Sequence, residues 1–117
     1  MSISSFEFDS LADWSNPYDV MDVYPFLTAQ QARIACNFHL YNEVVTKAQC
    51  LVELAKSMKA DGSFTHSQLL FLTELINFDT SIRDSLLKKF NNDAKYHGLG
   101  IKLEMEGSYD ILSELDE

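Results

Sequence analysis

Residues 26–61 contain neither glycine nor proline, and this uninterrupted stretch constrains the fold more than any other feature of the chain. Thr28 and Gln31, near its start, have the spacing of a capping box at a helix N-terminus. Apolar residues then recur every three or four positions along two lines, as the inner face of a helix requires. The first line is Ile34, Phe38, Tyr41, Val45, Ala48, Val52 and Ala55, and the second is Leu40, Val44, Leu51, Leu54 and Met58.

The two lines predict one long central helix with neighbours on two sides. About 32 residues would span roughly 48 Å, which is long for a small domain and leaves a kink or an interruption open. Gly62 is suited to end this helix, and Thr65 with Gln68 forms a second capping box that predicts another helix over residues 66–78. If the turn were a calcium loop, Lys59 would occupy a ligand position, which its positive charge excludes.

The segment around this turn, "ELAKSMKADGSFTHSQLLFL" at residues 53–72, resembles the helix–DG–helix elbow of tellurite-resistance TerB-like helical domains. The resemblance covers about a sixth of the chain. It implies a helical fold and implies nothing about function, because folds and functions are separable.

Weaker signals predict the elements on either side of these helices. Asn16 followed by Pro17 predicts a helix of about two turns that ends before Pro25. Asp79 or Thr80 is suited to cap a third long helix, over residues 81–97, that ends at Gly98. The inner face of that helix is predicted to comprise Ile82, Leu86, Phe90 and Ala94.

Residues 101–106 alternate apolar and charged side chains, which is typical of a β-strand. The expected partner strand is the N-terminal "SFEFD" at residues 5–9, and their pairing would bring both ends of the chain together. The C-terminal residues 108–117 are expected to form a short helical segment or a tail.

The predicted fold class is therefore mainly α: a small helical bundle around one long central helix, with room for a short two-stranded β element that pairs the N-terminal segment with residues 100–106. We expect a single domain over residues 1–117. It divides into an acidic aromatic arm (1–27), a helical core (28–97) and a strand with an acidic C-terminal segment (98–117).

The expected compartment is the cytoplasm, because no apolar run is long enough to span a membrane and the N-terminus does not have the pattern of an export signal. Within one helix, Cys36 and Cys50 would lie roughly 21 Å apart, too far for a disulfide bond. They are expected to be reduced.

Negative charge is concentrated at the two ends of the chain. Residues 1–32 carry five acidic residues and residues 103–117 carry six, and neither segment contains lysine or arginine. Residues 33–102 have a net charge of +2 within a total of −9. Such a chain repels phosphate and attracts basic protein surfaces, so direct nucleic-acid binding is disfavoured. The basic residues of the third long helix form too small a patch to predict DNA binding.

The sequence predicts no enzyme and no cofactor. It contains no glycine pattern for a phosphate and no matched set of nucleophile and base. Cys36, His39 and Glu43 would share one face of the long helix and could ligate zinc, but a fourth ligand is missing. We therefore expect Cys36 and His39 to have structural roles and predict no metal site.

These features predict a small acidic inhibitor that occupies the phosphate-binding surface of a basic protein: a nuclease, CRISPR effector, restriction or transcription protein. Immunity proteins, antitoxins, anti-restriction and anti-CRISPR proteins share this character by analogy. The predicted partner-binding residues are Glu7, Asp9, Asp13, Trp14, Asp19, Asp22, Glu104 and Glu106, with Trp14 as an apolar anchor. Two alternatives remain open: the aromatic residues of the arm cover the helices as a lid, or the chain is a helical adaptor that binds through an apolar helix face, including as a homodimer.

Overall fold

A computed structural model describes residues 12–60, 62–104 and 109–111, and over these ranges the chain is mainly helical, as predicted. Within these ranges, five helices are followed by two short strands. The helices are α1 (Pro17–Val23), α2 (Ala29–Phe38), α3 (Val44–Lys59), α4 (His66–Phe78) and α5 (Arg83–Tyr96), and the strands are β1 (Ile101–Leu103) and β2 (Tyr109–Ile111). Among the described helices, none has the length and apolar character needed to cross a membrane.

The predicted starts of the first, second and fourth helices are confirmed. The Asn16 side chain caps α1, and Pro17 occupies the first helical position. Complete capping boxes start α2 and α4, formed by Thr28 with Gln31 and by Thr65 with Gln68. Gly62 and Gly98 follow α3 and α5 with φ of 131° and 64°, backbone conformations that only glycine adopts readily.

The predicted long helix is not continuous: the interruption that its length left open lies at residues 39–43, which separate α2 from α3. At the end of α2 the hydrogen bonds span three residues instead of four, since the N–H of His39 donates to the carbonyl of Cys36 at 3.1 Å. Glu43 is extended, with φ −94° and ψ 140°. The two helices then pack side by side: the Sγ of Cys50 donates to the Ile34 carbonyl at 3.1 Å. The chain therefore folds back on itself as a helical hairpin.

Burial explains why the chain breaks here without a glycine or a proline. In an unbroken helix, the apolar side chains of the first half would lie beyond the reach of those in the second half. In the hairpin, Ala35 and Phe38 of α2 are fully buried, and so are Leu51 and Leu54 of α3. At about 25 cal/mol for each Å² of apolar surface removed from water, this burial outweighs a few lost helical hydrogen bonds.

α3 is the central helix of the bundle, and it packs most extensively on α5 and α2. Leu86, Phe90 and Ala94 form the inner face of α5 as predicted and are fully buried, whereas Ile82, also predicted on this face, precedes the helix and is half-buried. α1 packs on α2 and contributes the fully buried Val20. From residue 12 onward, the arm is therefore part of the bundle.

Two further predictions need correction: the cap of α5, and the helical segment or tail expected over residues 108–117, which instead contains β2. No side chain caps α5, which begins after Ile82, because Asp79 instead accepts hydrogen bonds from the N–H and hydroxyl of Ser81. The described partner of β1 is β2, in an antiparallel register that pairs Leu103 with Tyr109. A nearby strand closes a shorter loop than a distant one and so costs less chain entropy. The predicted N-terminal strand at residues 5–9 lies outside the described residues.

The side chain of Asn91 fastens β1 to α5. Its Nδ2 donates to the Leu103 carbonyl at 2.8 Å, and its Oδ1 accepts the Leu103 N–H at 2.9 Å. Replacing Asn91 with alanine leaves both backbone groups without this partner, so the free energy of unfolding should fall by about 1–3 kcal/mol. Hydrogen exchange should accelerate most at residues 101–103. The neighbouring exposed Asn92 is the matched control, and equal effects of the two alanine variants would contradict this role.

Candidate functional site

Five of the eight residues predicted to bind a partner lie in the described part of the chain. They are Asp13, Trp14, Asp19, Asp22 and Glu104. Glu7, Asp9 and Glu106 lie outside the described residues. Four of the five are on α1 or directly before it, so the candidate site is built around that helix.

Trp14, which was predicted as an apolar anchor for a partner, turns toward the bundle. Its ring centroid lies 4.3 Å from that of His39, 6.0 Å from that of Tyr24 and 6.3 Å from that of Phe71. The indole is half-buried and packs against the hydrophobic core. A large aromatic side chain gains most from burial against other rings, and here Trp14 holds the start of the arm on α2 and α4.

Tyr18 is the aromatic residue of α1 that faces solvent, with 73% of its surface exposed. Helical spacing places Asp22 one turn away on the same side and the half-buried Asp19 at the edge of that side, while Val20 is buried on the opposite side. We call this surface, formed by Tyr18, Asp19, Asp22 and the adjoining Asp13, the α1 face. Tyr18 was not among the predicted binding residues, and the apolar Val20 is the sequence signal that could have found it, because its burial turns residues 18 and 22 outward.

Hydrogen bonds hold Asp13 beside the helix. The backbone N–H of Asp13 donates to the carboxylate of Asp19. The carboxylate of Asp13 accepts hydrogen bonds from the hydroxyl of Ser15 at 2.6 Å and from its N–H at 3.0 Å. These bonds stabilise the ionised form and lower the pKa of Asp13 below its ordinary value. Asp13 therefore stays negatively charged at neutral pH, next to Asp19.

The carboxylates of the α1 face are not neutralised by the described basic residues. Within the described ranges, one ion pair is present, between Lys89 and Asp93 on α5 at 3.3 Å. Asp13, Asp19 and Asp22 take part in none over the same ranges. Asp13 and Asp22 are exposed and Asp19 is half-buried, so a cationic surface can approach their charge.

Glu104 is exposed but lies on a different element. It follows β1, which Asn91 fastens to α5, whereas α1 packs on α2. Tyr109 of β2 is hydrogen-bonded to His66 at the start of α4, and Trp14 contacts Phe71 five residues further along that helix. The structure therefore attaches both acidic segments to α4 but does not make Glu104 part of the α1 face.

A second set of ionisable groups lies inside the bundle, behind Trp14. Lys47 is only 3% exposed, and its Nζ lies 4.2 Å from the centre of the Phe38 ring. Burial and the charge of Lys47 lower the pKa of His39 to about 4, and the buried Nε2 of His39 has no hydrogen-bond partner among the described residues. Burial also lowers the pKa of Lys47, against the opposing effect of Asp79. These groups are enclosed by rings and offer no open site for a substrate.

The cysteines are also unsuited to chemistry. Burial raises the pKa of the Cys36 thiol and raises that of Cys50 to about 11, so both are protonated at neutral pH and are weak nucleophiles. Glu43 was expected to share one helix face with Cys36 and His39. It does not, because α2 ends at Phe38. In the described ranges, no three His, Cys, Asp or Glu side chains are grouped so that they could hold a metal ion.

Comparison of the chain with protein-family models, with curated proteins and with solved structures finds no match. Its function is therefore inferred from the chemistry of its surfaces, among which the α1 face combines exposed charge with an exposed aromatic ring.

Proposed function

We propose that this protein binds a basic protein through the α1 face and blocks the surface with which that partner binds nucleic acid. The observation that carries the proposal is the exposed Tyr18 among three aspartates that form no ion pair with the described basic residues. Contact of an exposed aromatic ring with water is unfavourable, and a partner that covers the ring removes this contact. Uncompensated carboxylates select a partner of opposite charge.

The chemistry of the face favours arginine-rich partners. The guanidinium group of arginine stacks on aromatic rings and pairs with carboxylates, so one arginine can contact Tyr18 and Asp22 together. The total charge of −9 adds a long-range attraction that accelerates the encounter. Basic grooves of this kind occur in nucleases, CRISPR effectors, restriction enzymes and transcription proteins, where they bind phosphates. A stoichiometric inhibitor would occupy such a groove with carboxylates.

Affinity capture with matched baits tests the proposal. The immobilised chain is compared with Tyr18→Ala and Asp22→Lys on the α1 face, and with Tyr96→Ala and Asp84→Lys on α5. Tyr96 is 84% exposed and Asp84 is also exposed, so the controls make the same chemical changes elsewhere on the surface. The wild type and both controls should retain a basic nucleic-acid-binding protein, and each α1 variant should bind it at least about tenfold more weakly.

The salt dependence of binding and the displacement of nucleic acid provide two further measurements. Binding should weaken steeply between about 0.05 and 0.3 M NaCl, because the contact depends on exposed charges. The purified chain should also displace DNA or RNA from the captured partner, and the α1 variants should not. Equal capture by the α1 variants and the controls, or a partner that binds its nucleic acid undisturbed, would contradict the proposed function.

A further inference from the structure

The turn between α2 and α3 exposes apolar side chains that the bundle does not use. Leu40 is 73% exposed and Val45 is 52% exposed, and Tyr41 lies beside them at the surface. A groove of about 220 Å³ begins at Tyr41 and runs between α2 and α3. Single exposed apolar residues are common on protein surfaces, but a group of three that adjoins a groove is typical of an interaction site. We call this surface the tip groove.

The lining of the tip groove is apolar and neutral, with one charge. Ile34, Tyr41 and Cys50 supply its apolar walls, and Glu53 is the charged residue among its lining groups. Among the described residues, no lysine or arginine lines it. Lys47 belongs to the same turn of α3, but it is buried with its ammonium group over the Phe38 ring. The surface is therefore apolar with an acidic side.

Glu43 adds a second free carboxylate at the tip. It precedes α3 and is exposed, yet its side chain makes no capping hydrogen bond to the helix. Neither Glu43 nor Glu53 forms an ion pair with another described residue. The two carboxylates thus lie on the α3 side of an apolar surface and are available to a cationic ligand.

We propose that the tip groove binds an amphipathic helix of a partner protein, which inserts an aliphatic side chain between α2 and α3 and places lysine or arginine against Glu43 and Glu53. An amphipathic helix that lays its apolar face in a groove is a common mode of peptide recognition. Charge selects this occupant over a second copy of the chain. A two-fold contact through the tip would bring the same acidic residues together without a lysine or arginine from the groove.

The groove is suited to binding and not to covalent chemistry. The Sγ of Cys50 donates a hydrogen bond to the Ile34 carbonyl at 3.1 Å, so the thiol is engaged within the wall of the groove. The remaining lining groups are amides and a hydroxyl, which can bond to a peptide without reacting with it. This surface involves none of the residues of the α1 face, so the two proposals can fail separately.

A model peptide tests the inference on the full chain. The probe is a helical peptide of about 18 residues with leucine along one face and lysine on the others, titrated into ¹⁵N-labelled protein in 0.15 M NaCl. Amide shifts should change at Leu40, Tyr41, Val45 and Gln49. Leu40→Ser should weaken binding at least about tenfold, and Glu43→Gln combined with Glu53→Gln at least about threefold. Tyr96→Ala, another exposed apolar truncation, should leave the affinity unchanged.

The chosen substitutions are at exposed positions, so circular dichroism should show an unchanged fold. A peptide with glutamate in place of lysine should not bind. The inference is overturned if the shift changes fall on Tyr18 and Asp22, if Leu40→Ser binds as well as wild type, or if no peptide binds. It is also overturned if sedimentation shows that the chain dimerises alone and that Leu40→Ser makes it monomeric, because the occupant would then be a second copy.

Discussion

Replacing Phe71 with alanine should lower the free energy of unfolding by about 3–5 kcal/mol. The Phe71 side chain is 2% exposed, and its ring lies beneath those of Trp14, Tyr24 and Phe26. The ring centroids are 6.3, 5.0 and 5.9 Å away, respectively. Alanine would leave a cavity under all three, and α1 and the segment that follows it would lose their support on α4. The effect should therefore exceed that of removing an isolated core side chain of similar size.

Urea unfolding followed by the fluorescence of Trp14, the single tryptophan, measures this prediction directly. Phe71→Leu, which keeps most of the volume, should cost about 1–1.5 kcal/mol. Tyr96→Ala removes an exposed ring and should change stability by less than about 0.5 kcal/mol. A loss below about 1 kcal/mol for Phe71→Ala would show that the aromatic residues of the arm do not depend on α4. If the loss is as large as expected, binding through the α1 face should weaken as well.

Acidification from pH 7 to pH 4 should reduce the stability of the protein through His39. The folded state holds the pKa of His39 at about 4, below its ordinary value of 6.5, because burial and Lys47 disfavour the charged ring. Between these values the unfolded chain binds a proton that the folded protein does not, so stability falls as the pH falls. Between the two pKa values, each pH unit can lower the free energy of unfolding by at most about 1.4 kcal/mol. With partial solvent screening, we expect the contribution to be about 2–3 kcal/mol.

The prediction is checked by comparing wild type with His39→Phe in urea at pH 7 and pH 4.5. The variant keeps an aromatic ring between Trp14 and Phe78 but cannot bind a proton, so its loss of stability on acidification should be smaller by about 2 kcal/mol. The exposed His97 serves as the control, and His97→Gln should keep the wild-type pH dependence. Lys47→Met should raise the pKa of His39, observable by NMR titration, because it removes a nearby positive charge. A pH dependence that His39→Phe leaves unchanged would contradict this assignment.

The two proposed surfaces share α2 as a support. α2 contacts α1 on one side and α3 on the other. A basic partner that contacts the α1 face with arginine could therefore use a second element to reach the tip groove. Variants at Tyr18 and Leu40 separate these contributions. The part of the affinity that comes from the α1 face should depend strongly on salt, and the part that comes from apolar insertion at Leu40 should depend on it weakly.

The sequence by itself determined where most helices begin and end. Asn16 with Pro17, the two capping boxes, and Gly62 and Gly98 were recognised correctly because each acts through hydrogen bonds or backbone angles within a few residues. Three of the four predicted inner-face residues of α5 were also correct, since helical periodicity is a local property, while Ile82 precedes the helix. The concentration of negative charge at the ends of the chain required no structure at all.

Only the tertiary structure decided how the stretch without glycine or proline is divided, and which side chains of the arm face solvent. No local signal breaks the helix at residues 39–43, and two lines of apolar residues are compatible with one long helix or with a hairpin. The hairpin buries most of both lines and leaves Leu40, Tyr41 and Val45 exposed near the turn. Packing between distant segments therefore overrides local helical propensity. For the same reason Trp14 packs on the bundle while Tyr18 faces solvent: burial depends on the rings of α2 and α4, which are distant in sequence and adjacent only after folding.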